Sequence, residues 1–101
     1  MSVGQVAGGY PHVFRAAITT AGRKHQLRFI SKYAIIRSDA AVRMYFTEDD
    51  MTNDVNYVVI PAPAAATPHG EWRGPLEVNT LWFATASGTA NIELVAFQRR
   101  G

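Results

Sequence analysis

Two apolar runs on either side of a Ser-Gly pair constrain this chain more than any other stretch. Residues 81–86 read LWFATA, residues 91–97 read NIELVAF, and Ser87-Gly88 lies between them. Period-2 alternation around such a turn predicts two strands folded back on each other as a hairpin. Side chains at i and i+2 share a face, so Ile92, Leu94 and Ala96 would line a core. Val95 and Phe97 then fall on the opposite face, which is too apolar to be freely solvated. A second layer or a neighbouring subunit is expected to cover them.

The rest of the chain predicts more short strands. In 12–18, Phe14, Ala16 and Ile18 share one face, and residues 21–24 (AGRK) read as a turn. A strand at 26–30 would turn Leu27 and Phe29 inward, and a further one occupies 33–37. The clearest alternation is in 41–47, with Val42, Met44 and Phe46 opposite Arg43, Tyr45 and Thr47. Residues 48–54 (EDDMTND) read as a polar loop. Residues 55–60 read as a strand stopped by Pro61 and Pro63, which cannot donate to a ladder. Two short pieces, 70–72 and 76–78, are interrupted by Gly74-Pro75. No 11-residue window has helical period. The expectation is an all-β fold, a small antiparallel β-sandwich of about eight short strands. The sandwich is the favoured architecture, with a jelly roll as one form it could take, and a small open barrel is the alternative. Residues 12–101 would form this single domain, and the Gly-rich stretch 1–11 an arm that is either frayed or ordered against a partner.

Composition narrows the function classes. The 101 residues are 48% hydrophobic and 18% charged, which suits one globular domain and not a disordered chain. Without cysteine there is no disulfide framework, thiolate metal site or thiol nucleophile. The start, MSVGQ, lacks the features of a secretory signal, and no apolar run approaches a membrane span. Basic residues crowd the first half: residues 1–43 hold seven Lys and Arg against the single acid Asp39. Residues 44–101 hold seven acids against three arginines. Such a split suits a nucleic-acid surface or a head-to-tail contact between copies. Strands mix the halves in space, however, and scattered solvated charges are the favoured expectation.

No catalytic constellation emerges. His12, His25 and His69 lack metal-ligand spacing and read as surface or turn residues. The acidic stretch 48–54 lacks the glycine and terminal glutamate of an EF-hand loop and reads as a solvated segment. Serines 31, 38 and 87 sit in no nucleophile elbow, and no phosphate-binding loop occurs. Glu71, Glu77 and Glu93 could supply a carboxylate pair, but isolated outward glutamates are more simply surface residues. Trp72, Trp82, Tyr33, Tyr45 and Tyr57 are of the type that stacks on sugars or bases, although core packing is the more economical role. No metal or other cofactor is expected.

The second half resembles small β-sandwich structural proteins of tailed bacteriophages, the decoration or cement proteins of assembled heads. The resemblance spans 41–98 and is carried by Pro61-Ala62, Gly70-Glu71-Trp72, Leu76-Glu77-Val78, Leu81-Trp82-Phe83-Ala84 and the run SGTANIELVAF at 87–97. It implies a non-enzymatic virion protein, made in the host cytoplasm, commonly trimeric and bound to the major capsid protein. Val95, Phe97, Trp82 and Tyr10 are the candidate interface residues. Neither a membrane nor a nucleic acid is expected as partner. The alternative is a carbohydrate-binding sandwich of a tail or host-attachment device, resting on the tryptophans and tyrosines.

Overall fold

A computed structural model describes residues 11–98. The strands are β1 (His12–Ile18), β2 (Arg23–Gln26), β3 (Ser31–Ser38), β4 (Val42–Tyr45), β5 (Val58–Ile60), β6 (Gly70–Pro75), β7 (Thr80–Ala84) and β8 (Ala90–Gln98). One helix, α1 (Glu48–Asn53), lies between β4 and β5. Sheet A has the order β1-β8-β3-β6 and sheet B the order β2-β7-β4-β5. All their pairings are antiparallel. This is the jelly-roll order. The chain is one long ribbon doubled back near α1, pairing β4 with β5, β3 with β6, β2 with β7 and β1 with β8. Rolling the ribbon brings β8 beside β3 and β7 beside β4, closing two sheets over one core.

The hairpin expected at 80–98 does not form. β7 lies in sheet B and β8 in sheet A, so the turn at Ser87-Gly88 carries the chain between layers. Each is a central strand with partners on both edges. Apolar character on both faces thus marked the middle of two sheets, where long-range pairing outweighs the local turn. The β1–β2 crossing lies beside it, because Thr19 O accepts from both Gly22 N (3.1 Å) and Thr85 N (3.2 Å). Gly88 takes φ +66°, a left-handed turn conformation that glycine adopts without a Cβ penalty.

Alternation fixes the inner faces. Ile18 from β1, Ala34 and Ile36 from β3, and Ile92, Leu94 and Ala96 from β8 are buried on sheet A. Met44, Val42, Ile60, Leu81 and Phe83 answer them from sheet B. Each large side chain taken from water contributes about 1.5–3 kcal/mol before chain entropy is counted. The buried Ser31 hydroxyl is satisfied by Leu76 O, and the Ser38 hydroxyl by Ala40 O. Gly70 is sterically required. A Cβ there would lie 1.7 Å from Pro61 O, so the backbone after β5 can pass β6 only where no side chain exists.

Four local expectations are corrected. Arg23 and Lys24 belong to strand β2, which ends at Gln26, before Leu27 and Phe29. The acidic stretch 48–54 winds into α1, six residues long and so too short for a helical period to register. Thr47 caps it by accepting from Asp50 N at 3.0 Å, and Glu48, Asp49 and Asp50 sit favourably in its first turn. β5 starts only at Val58, because Asn56 at φ 52° is not extended. Residues 76–78 are no strand. They cross between the sheets, with Leu76 N bonded to Lys32 O and Val78 O to Ser31 N.

Candidate functional site

The outer face of sheet A has an organisation that rolling the ribbon creates. Odd-numbered positions of β1 and β8, and of β3 from Tyr33 to Arg37, point outward, and register stacks them in rows across the strands. One row is Arg15, Glu93, Arg37 and Glu71, from β1 to β6 in sheet order. Arg15 Nη2 lies 2.6 Å from Glu93 Oε2, and Arg37 Nε lies 3.0 Å from Glu71 Oε1. A longer Arg37–Glu93 approach of 4.0 Å links the two pairs, and Arg73 joins the end at 2.6 Å from Glu71. Hydrogen bonds from Arg37 and then Arg73 hold the Glu71 carboxyl below its ordinary range. A glycosidase acid needs the opposite shift, so Glu71 and Glu93 with Arg37 between them are a charge ladder in geometry. Beside them a shallow depression is lined by Arg15, Arg37, Asp39, His69 and Asn91, among others. Asp39 is tied to Asn91 through N and Nδ2, at 2.7 and 2.8 Å.

The ladder also accounts for the uneven charge of the sequence. The doubled ribbon lays the basic first half against the acidic second half. Arg15, Arg37 and Arg43 therefore meet Glu93, Glu71 and Asp54 within one chain. The sequence contained this signal, but reading it required the pairing of β1 with β8 and of β3 with β6.

The next rows are apolar. Val13, Val95 and Ile35 align across β1, β8 and β3, ending at Arg73 on β6. Phe97 and Tyr33 align one row further, their ring centroids 6.5 Å apart. Val13 is 53% exposed, while Val95, Ile35, Phe97 and Tyr33 are half-buried by one another. Val95 and Phe97 thus occupy the outward positions read from alternation, and no second layer of the described chain covers them. Trp82 lies elsewhere, on the outer face of sheet B beside Lys24, whose ammonium sits 5.7 Å from its ring. Tyr10 and the rest of the arm, like Arg99 and Arg100, lie outside the described residues. Val13 and Ile35 were not singled out from sequence, and Tyr33 only as a stacking aromatic, although outward alternation in β1 and β3 would have placed all three on this face.

Of the five aromatic candidates, Trp82, Tyr45 and Tyr57 share the outer face of sheet B, with Tyr45 opposite Trp82 in register, while Tyr33 lies on sheet A. Trp72 packs against the core from the inner face of β6. Tyr45 is buried under the segment that follows α1. Its hydroxyl donates to Asp54 Oδ1 at 2.6 Å, and Arg43 holds Asp54 Oδ2 at 2.7 Å. Burial, with the Asp54 carboxylate second, pushes the Tyr45 phenol up to about 12. Tyr57 covers it edge-on at 5.6 Å, with the Arg43 guanidinium 4.9 Å from the Tyr57 ring.

No family model matches this chain, and neither a curated protein nor a solved structure matches it. Among the described residues no three His, Asp or Glu side chains are grouped to hold a metal ion, and no helix is long and apolar enough to cross a membrane.

Two of the histidines are not the separate surface residues expected. His12 on β1 and His25 on β2 meet where the edges of the two sheets adjoin, Nε2 to Nε2 at 2.7 Å. Arg28 Nε donates to His12 Nδ1 at 3.2 Å. His12 therefore carries its proton on Nε2 and gives it to His25 Nε2, leaving both rings neutral. Phe14 stacks on His25 at 3.6 Å, and Arg23 sits 5.4 Å from the Phe14 ring. Burial, then His12 and Arg23, draw His25 down to about 4.

Proposed function

We propose that this chain is a non-enzymatic structural protein of a phage particle, decorating or cementing the capsid through subunit interfaces. The observation that carries this reading is the outward apolar strip of Val13, Val95, Ile35, Phe97 and Tyr33, exposed at Val13 and half-buried along the rest, on a sandwich whose core is already complete. Such a strip gains by burial against another subunit, each large side chain contributing on the order of 1 kcal/mol or more. The jelly roll is compatible with the role, since capsid domains use it, but lectins use it too and the fold alone assigns neither. Trp72 packs against the core and Tyr45, opposite Trp82 on sheet B, is only 2% exposed, and so little stacking surface favours assembly over sugar binding.

The partners in this reading are other copies of the chain, as the trimer that the resemblance implies, and the major capsid protein. The protein would be made in the host cytoplasm and reside in the virion. Particles purified by density gradient from the organism that encodes the chain should contain it at a fixed ratio to the capsid protein. Val95→Lys should lower that ratio without unfolding the domain. Particles lacking the chain, while the soluble fraction retains it, would overturn the reading.

A further inference from the structure

We propose that the outer face of sheet A packs against the same face of a second copy, about a two-fold axis running parallel to its strands. The proposal rests on reading this face as an assembly surface and names the occupant. Its basis is the sign order across the sheet: Arg15, Glu93, Arg37, Glu71, plus to minus to plus to minus. An alternating row with an even number of charges changes sign everywhere when its order is reversed. A two-fold axis lying between β8 and β3, along the strands, performs that reversal while keeping each row at its own level. Arg15 then faces the partner's Glu71, and Glu93 faces the partner's Arg37. The other in-plane axis, running along the row, would set Arg15 on the partner's Arg15 and every other charge on its like. Only the strand-parallel axis satisfies all four positions.

The apolar rows obey the same operation. Reversal places Val95 on the partner's Ile35 and Phe97 on the partner's Tyr33. Val13 meets the hydrocarbon stem of the partner's Arg73, whose charged end stays wet. Contacts within each copy leave capacity for those between copies. A guanidinium has five N–H donors and a carboxylate about four acceptor sites, so Arg15 and Glu71 are not exhausted by the pairs they already make. Sheets packed face to face align within about 30°, so the match is closest at the central pair, Glu93 and Arg37, and loosens outward.

The face is four strands wide and about seven residues long, a footprint of roughly 450 Å² at ordinary strand spacing. A stable interface usually buries about 800 Å² per partner, so the pair is weak alone and becomes populated where copies are crowded, as on an assembled shell. This two-fold contact is isologous. A trimer would have to be built through a different surface.

The test uses two complementary variants of the chain, Arg15→Glu/Arg37→Glu and Glu71→Arg/Glu93→Arg, checked for fold by circular dichroism. Sedimentation velocity up to the millimolar range should show wild type dimerising reversibly and each variant alone monomeric. An equimolar mixture should form a one-to-one heterodimer that weakens with added salt. Folded variants that stay monomeric when mixed would overturn the proposal. Should like charges side by side prevent folding, Val95→Thr/Ile35→Thr keeps strand-forming residues and should weaken dimerisation about tenfold or more. Dimerisation of that variant as strong as wild type would overturn the proposal. Wild-type association insensitive to every variant would overturn the two-fold geometry and leave the assembly reading standing. A wild-type chain that is monomeric throughout and missing from particles would overturn both.

Discussion

The two outer faces of this sandwich differ in build and in cover: sheet A has strands of six to nine residues, sheet B strands of three to five. On sheet B the chain folds over the middle of its own surface, although Val59 at the β5 edge stays 49% exposed. Tyr45 points outward from β4 and is only 2% exposed, because the end of α1 and Tyr57 fold over it and Asp54 takes its hydroxyl. On sheet A, Val13 points outward from β1 and stays 53% exposed, with Val95 and Ile35 beside it under no segment of the described chain. The connection between β4 and β5 is long enough to cover Tyr45, whereas on sheet A Pro68 and His69 of the β5–β6 connection line a depression beside Arg15 and Arg37.

Four changes would break or sharpen this contrast, in falling order of effect. Gly70→Ala forces a Cβ into Pro61 O and should destabilise the domain by about 3 kcal/mol, the upper end of overpacking costs. A urea midpoint unchanged from wild type would mean that the close passage of the chain after β5 is misplaced. Tyr45→Phe should cost about 1–2 kcal/mol, since it removes a hydrogen bond to a charged group beneath the seal. It should also delete the late-titrating phenol from an alkaline absorbance titration; persistence of that phase would assign it to another tyrosine.

The third change is pH. His25 has its folded value lowered to about 4, so the unfolded chain binds its proton first as the solution is acidified. Stability is therefore complete above about pH 6.5, the ordinary histidine value, and falls as pH drops towards 4. The loss should be ~1 kcal/mol once partial exposure is allowed for. His25→Gln should flatten the dependence of the melting temperature over that window, and an unaltered slope would contradict the paired-histidine geometry. Smallest is Val95→Thr on the open face, expected within about 0.5 kcal/mol of wild type as an isolated domain. A loss as large as that of Tyr45→Phe would show that the strip is already covered.

Much of the fold was legible in the residues themselves. Alternation in β1, β4 and β8 gave Phe14, Ala16, Ile18, Val42, Met44, Ile92, Leu94 and Ala96 their inward faces, and these line the core or pack against it. It also placed Val95 and Phe97 outward. Strand partnership was not legible, because Ser87-Gly88 suits a hairpin as well as a crossing between sheets. The choice depended on β1 and β3, some sixty to eighty residues away. The charge ladder and the meeting of His12 with His25 were hidden for the same reason, since both exist only after long-range pairing. Helix α1 escaped because six residues are fewer than two turns.

The most direct test of the account is a methyl-resolved spectrum of the folded chain recorded from dilute to millimolar protein. The account predicts that signals of Val13, Ile35 and Val95 move progressively with concentration, while Val55 and Val59, which are exposed away from sheet A, hold still. Signals that stay fixed throughout, or that move at Val55 and Val59 instead, would contradict it.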